Sequence, residues 1–150
     1  MQSLKLEIKV FTEFVSKKVE KTWITQAGYQ ATVKIVPMGH RCGYVTLPDN
    51  HPCNGKHYDD LAIQVHGYLT YGEGATFGFD CAHYGDKPDT NLMSESFKEV
   101  YEKLGKPDDI VYLDKSDFAT IKSLDFCIEQ CESMAAQFKA MEVVGQASKG

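Results

Sequence analysis

The chain has 150 residues, 43% hydrophobic and 25% charged, with 16 basic and 21 acidic side chains and a net charge of −5. That length suffices for one domain, residues 1–150, with its own apolar core. The acid excess leaves no clustered basic footprint, so duplex DNA or RNA is not an expected partner.

No apolar run approaches the roughly 18 residues that read as a membrane span. The opening MQSLKLEIKVFTEF alternates apolar and charged residues and does not read as an export signal. The five cysteines are Cys42, Cys53, Cys81, Cys127 and Cys131. An odd number without an export signal predicts reduced thiols, no structural disulfide and a cytoplasmic setting.

Leu4, Leu6, Ile8 and Val10 alternate with Lys5, Glu7 and Lys9 in the period of a half-buried strand. Phe11, Phe14, Val15 and Val19 then recur at helical spacing, which predicts a short helix after the strand; one amphipathic helix from residue 3 is the alternative. Residues 23–36 read as a hairpin turning at Gly28. A short strand follows within 40–48, then a loop over 49–60 with the turn signal Asn54-Gly55. Residues 61–65 form a brief apolar run, predicted as a strand. Residues 66–86, HGYLTYGEGATFGFDCAHYGD, read as two short strands around a glycine-rich turn, the second over 76–81. Ser96 and Glu99 fit a capping box for a helix that Gly105 and Pro107 end. Residues 110–113 are a possible strand. Ile121, Leu124, Ile128, Cys131, Ala135 and Phe138, widened by Cys127, Met134 and Met141, mark the apolar face of a long last helix. The tail, residues 145–150, is predicted to fray. Strands first and helices last predict an α+β fold, an antiparallel sheet of about five to six strands with the C-terminal helices on one face.

Three kinds of chemistry fit these residues. His40 with Cys42 and Cys81 with His83 are two donor pairs at i, i+2, and on strands each pair shares a face. Together they would make a Cys2His2 zinc set, with His51, Cys53, His57, His66 and Asp80 as further donors, although the zinc-knuckle Cys-x2-Cys is absent. Against this stands the ordinary role of free cysteine as a core residue. Acid–base or nucleophilic catalysis by Asp80, Cys81, His83 and His66 lacks any surrounding signature. A ligand pocket is the third: Tyr44, Tyr68, Tyr71, Phe77, Phe79 and Tyr84 supply flat rings near glycine-rich turns, which suits stacking of a nucleobase. Arg41, the only arginine, is the candidate bidentate anion contact. Aromatics alternating on strands are ordinarily core, so the rings nearest His66 and His83 are the strongest candidates.

The segments GHRCGYV (39–45), DNHP (49–52), HGYLTY (66–71), GFDCAHYGD (78–86) and CESMAAQ (131–137) resemble a family of small proteins encoded by phages and prophages. The resemblance spans roughly residues 23–140 and implies an accessory protein acting in the cytoplasm of an infected bacterium. Tyr68 departs from it where HGGLTY has a second glycine, and Tyr84 where a small residue is common. Phage accessory proteins of this size include sponges for the nucleotide signals of bacterial immunity. The expectation is a homo-oligomeric binding protein that sequesters a small nucleotide-derived ligand without turnover. Its site comprises His40, Arg41, Tyr44, His66, Tyr68, Tyr71, Phe79, Asp80, His83 and Tyr84, with no cofactor and no membrane partner. The alternative is a metal-dependent hydrolase holding zinc on His40, Cys42, Cys81 and His83; a structural or inhibitory role is the third.

Overall fold

The computed structural model of the chain describes residues 17–83, 85–103 and 119–149. A hairpin sets the frame. β1 (Lys18–Ile24) and β2 (Gln30–Ile35) pair antiparallel. The turn between them is held by Thr25, whose amide and hydroxyl both donate to the Tyr29 carbonyl at 2.8 Å, with Gly28 at φ 91°. The helical spacing that reaches Val19 in the sequence is not followed here. From Lys18 onward the backbone is committed to the ladder with β2, and long-range pairing overrides the local period.

β3 (Arg41–Thr46) pairs with β2 on one side and β5 (Thr76–Asp80) on the other, and β4 (Tyr71–Glu73) closes the sheet in the order β1-β2-β3-β5-β4. Every pairing in this five-stranded sheet is antiparallel. β6 (Asp86–Lys87) and β7 (Thr120–Ile121) form a separate parallel pair. Two α-helices, α1 (Glu95–Lys103) and α2 (Leu124–Lys149), and two 3-10 turns at Tyr58–Asp60 and Thr90–Leu92 complete the described elements. The fold is α+β, mostly sheet with one main helix.

The period of two decides which side chains meet α2. Ala31 stands opposite Val45, and Val45 opposite Phe77; with Val33 and Phe79 these residues are buried in one cluster with Cys127, Cys131, Met134, Ala135 and Phe138 of α2. The other face carries Thr32, Lys34, Cys42, Tyr44, Thr46, Gly78 and Asp80 in the same registers. Gly43 is where the helix comes down. A Cβ there would lie 2.4 Å from the Phe79 ring and 2.8 Å from the Cys131 sulfur. Glu132 fixes the hairpin to the helix, accepting from Trp23 Nε1 and from the Gln26 amide, each at 3.1 Å.

Residues 61–65 join no ladder; α2 supplies their partners instead. Gln137 accepts from the Gln64 amide at 2.8 Å and donates to its carbonyl at 2.7 Å, and Gln130 accepts from the His66 amide at 2.9 Å. Two glutamine side chains thus do what a neighbouring strand would do. The cap of α1 is Ser94, whose Oγ accepts from the Phe97 amide at 3.1 Å, two residues before the predicted box. Ile121 belongs to β7, and α2 starts at Leu124 behind a Ser123 cap and stays helical to Lys149, through residues predicted to fray. The predicted elements before residue 17, the stop at Gly105 and Pro107, and the run 110–113 lie outside the described residues.

Gly43→Ala is expected to destabilise the fold by about 1–3 kcal/mol, the usual cost of overfilling a packed core. Urea denaturation should show a lowered midpoint with an unchanged slope. An unchanged midpoint would mean that the helix does not rest on this strand.

Candidate functional site

The open face of the sheet ends in a cleft. Cys42 on β3 stands opposite Asp80 on β5, with His40 just before β3 and His83 just after β5. These four, with Lys17, Val36, Met38 and Ala82, line a hollow of about 490 Å3. Gly39 makes the approach to His40 possible. At φ 99° it presses its backbone against Asp89, where a Cβ would lie 2.4 Å from the Asp89 carbonyl oxygen.

His40 is 3% exposed, and its Nδ1 lies 2.8 Å from the Cys81 carbonyl oxygen. A carbonyl only accepts, so Nδ1 carries the proton and Nε2 keeps its lone pair. That Nε2 is buried without a hydrogen-bond partner among the described residues. Burial lowers the proton affinity of His40 below the usual imidazole value, outweighing the Cys81 carbonyl and the carboxylates of Asp86 and Asp80. His83 packs against Gly67, where a Cβ would come within 2.3 Å of the imidazole. Its Nε2 is 3.1 Å from Asp80 Oδ1, close enough for an ion pair but out of line for a hydrogen bond, so this nitrogen too is buried and unpartnered among the described residues. Asp80 accepts at 3.0 Å from the Thr70 hydroxyl on Oδ2 and at 3.0 Å from the Ala82 amide on Oδ1.

Behind His83 lies Asp86, 1% exposed. Its carboxylate meets His66 Nε2 at 2.8 and 2.9 Å, the His83 amide at 3.0 Å and Lys122 Nζ at 3.2 Å. Burial alone would raise its pKa, but hydrogen bonds from His66, the His83 amide and Lys122, with the charge of His66, hold it below the usual carboxylate value. His66 also packs edge-on to His83, ring centres 6.1 Å apart, and to Phe126 at 5.2 Å.

The predicted site residues divide into groups. His40, Asp80 and His83 share the cleft, and His66 adjoins it through His83. Tyr44 and Tyr71 lie in a second hollow of about 400 Å3 on the same sheet face, with Lys34, Thr32, Thr46 and Thr76; Lys17 lines both hollows. Arg41 does not reach the cleft. Its Nε pairs with Glu20 at 2.9 Å and its NH1 donates to the Lys122 carbonyl at 3.0 Å. Phe79 points to the opposite face and is buried in the core. Tyr84 lies outside the described residues. The proposed zinc set is divided, because Cys81, just past the end of β5, turns into the core with its sulfur 3.7 Å from that of Cys127. No group of three or more metal donors occurs among the described residues. His51 is structural: it accepts from the Cys53 amide at 3.0 Å through Nδ1, leaving Nε2 to donate to the Phe138 carbonyl at 2.7 Å.

The sequence reading missed Asp86, Lys122 and Lys17. Asp86 carried a signal, as the carboxylate ending GFDCAHYGD three residues after His83; the lysines carried none. Tyr68 is the one non-glycine residue with positive φ among the described residues, at 63° directly after Gly67 at 65°. Its side chain is 76% exposed, so little packing compensates for the strain. No protein-family model, no curated protein and no solved structure matches the chain.

Because the Asp86 pKa is depressed on folding, its contribution is full above the unfolded value near pH 4 and is lost as pH falls through the lower folded value. Urea midpoints followed downward from pH 5 should show that loss, and Asp86→Asn should remove this group's share of it. Asp86→Ala should cost about 1–3 kcal/mol, since it removes the acceptor shared by His66, the His83 amide and Lys122. Tyr68→Gly should leave stability unchanged or raise it by up to about 1 kcal/mol, the left-handed strain relieved less the entropy of glycine. A clear loss of stability in thermal melts would mean that Tyr68 packs in solution.

Proposed function

We propose that this chain is a binding protein that sequesters a small nucleotide-derived ligand, a cyclic nucleotide or an ADP-ribose derivative, without turning it over. By the resemblance of its motifs, its setting would be the cytoplasm of an infected bacterium, and a counter-defence role follows by analogy with phage accessory proteins of this size. The observation that carries the reading is His40 Nε2, a buried nitrogen without a hydrogen-bond partner among the described residues, on a residue that lines the cleft beside Asp80 and His83. Buried polar atoms are nearly always satisfied, and an exception calls for an explanation such as a bound group.

The neighbouring hollow supports the same reading. Tyr44 and Tyr71 meet edge to face with ring centres 5.4 Å apart, and Lys17 and Lys34 lie over the Tyr44 ring at 5.1 and 5.3 Å. Rings and ammonium groups on one face suit a base and its phosphates. Each hollow falls within the usual volume of small-molecule sites, roughly 300–1,000 Å3. Burial raises the Cys42 thiol above its ordinary pKa, so this cleft residue is a poor thiolate nucleophile near neutrality.

Heat denaturation of protein purified from phage-infected, immunity-positive cells should release an unmodified nucleotide identifiable by chromatography. His40→Ala should weaken binding of that ligand at least tenfold by calorimetry, while its far-ultraviolet circular dichroism stays that of the parent. Release of nothing, together with no heat from a panel of cyclic nucleotides and ADP-ribose, would end this reading. Stoichiometric zinc with an altered ligand would favour the metal-dependent hydrolase instead.

A further inference from the structure

We infer that the buried end of the ligand enters the cleft as a hydrogen-bond donor, through a base amino group or ribose hydroxyls, while its phosphates remain outside over Lys17 and Lys34. This inference rests on the nucleotide reading of the same cleft and deepens it. The polarity of the cleft carries it. With its Nδ1 proton committed to the Cys81 carbonyl, His40 offers the cleft only a lone pair. Asp80 is an acceptor on both oxygens: Oδ2 takes the Thr70 hydroxyl, and Oδ1 takes the Ala82 amide with His83 Nε2 3.1 Å away, so Oδ2 retains room for a further donor. The His40 lone pair and the Asp80 carboxylate therefore meet whatever enters.

A phosphate beside His40 and Asp80 would face a lone pair and a carboxylate, and the Lys17 ammonium that also lines the cleft is held by the Tyr44 hydroxyl. Like charges brought into contact in a part-buried site repel strongly. A hydroxyl or amino group instead satisfies His40 Nε2 and Asp80 together. The full positive charges lie further along the face. Lys17 donates to the Tyr44 hydroxyl, and its ammonium is 5.1 Å from the Tyr44 ring centre and 5.9 Å from that of Tyr71. Lys34 completes that end. The cleft thus offers acceptors at His40 and Asp80, the rings carry ammonium groups, and Lys17 stands where the two hollows meet, so a ligand with a donor-bearing end and an anionic end fits in one direction.

The sources of the donor can be separated on the ligand side, leaving the protein unaltered. Binding of ADP-ribose and cyclic di-AMP to the full chain would be measured by calorimetry, followed by the 6-deamino purine analogue and the deoxyribose analogue of whichever binds. At least a tenfold loss for one analogue is expected, and it identifies the group that enters the cleft. The same analogue should bind His40→Phe no worse than the parent ligand binds that variant. Parent-like binding of both analogues to the wild-type chain would overturn this inference and leave the nucleotide reading standing. A tenfold loss that persists undiminished in His40→Phe would also overturn it, because the donor would then be read elsewhere. If neither probe binds, the nucleotide reading falls and this inference falls with it.

Discussion

The Asp86 carboxylate is the constraint on which the site depends. One buried group joins three stretches of chain: His66 ahead of the β4–β5 hairpin, the loop of His83, and Lys122 before α2. Taking a carboxylate out of water is costly unless its lone pairs are met, and here an imidazole, an amide and an ammonium meet them. With the three donors in place, the His83 ring is held against Gly67 beside Asp80, and the Thr120 amide on the Gly85 carbonyl at 3.0 Å fixes the same loop.

On the other side of the cleft a single residue serves both faces of the sheet. Cys81 places its sulfur in the core beside Cys127, while its carbonyl takes the Nδ1 proton of His40. The packing of an apolar interior thus decides which imidazole nitrogen is left with a lone pair. A backbone acceptor cannot change role with pH, and burial disfavours a second proton on His40. The hydrogen-bonding sense of the site is set by the main chain more firmly than a side-chain partner could set it.

Much of this architecture was legible in the sequence. The alternation at Tyr29, Ala31, Val33 and Ile35 gave β2, the period of α2 gave its buried face, and Gly28 gave the turn. Those signals survive because each is local and repeats several times. Pairing across the sheet left weaker traces. Cys42 and Asp80 lie on adjacent strands, and nothing local in either segment announces that 41–46 and 76–80 are sheet neighbours. Cys81 and His83 were placed together by a spacing of two, but β5 ends at Asp80 and the rule lapses beyond a strand's last residue. Arg41 looked free as the one arginine, yet the charge of Glu20 and a helix-leading carbonyl claim it. Residues 61–65 have the composition of a strand, and only the helix opposite reveals why they are not one.

That last segment has a further consequence. An apolar stretch with open amide and carbonyl groups is a template on which a second chain can add, the first step toward aggregates. By occupying both main-chain groups of Gln64, the Gln137 side chain leaves that template no vacant rung at this residue. The amide of one helical glutamine therefore also bears on how concentrated this protein can become before its copies begin to stack.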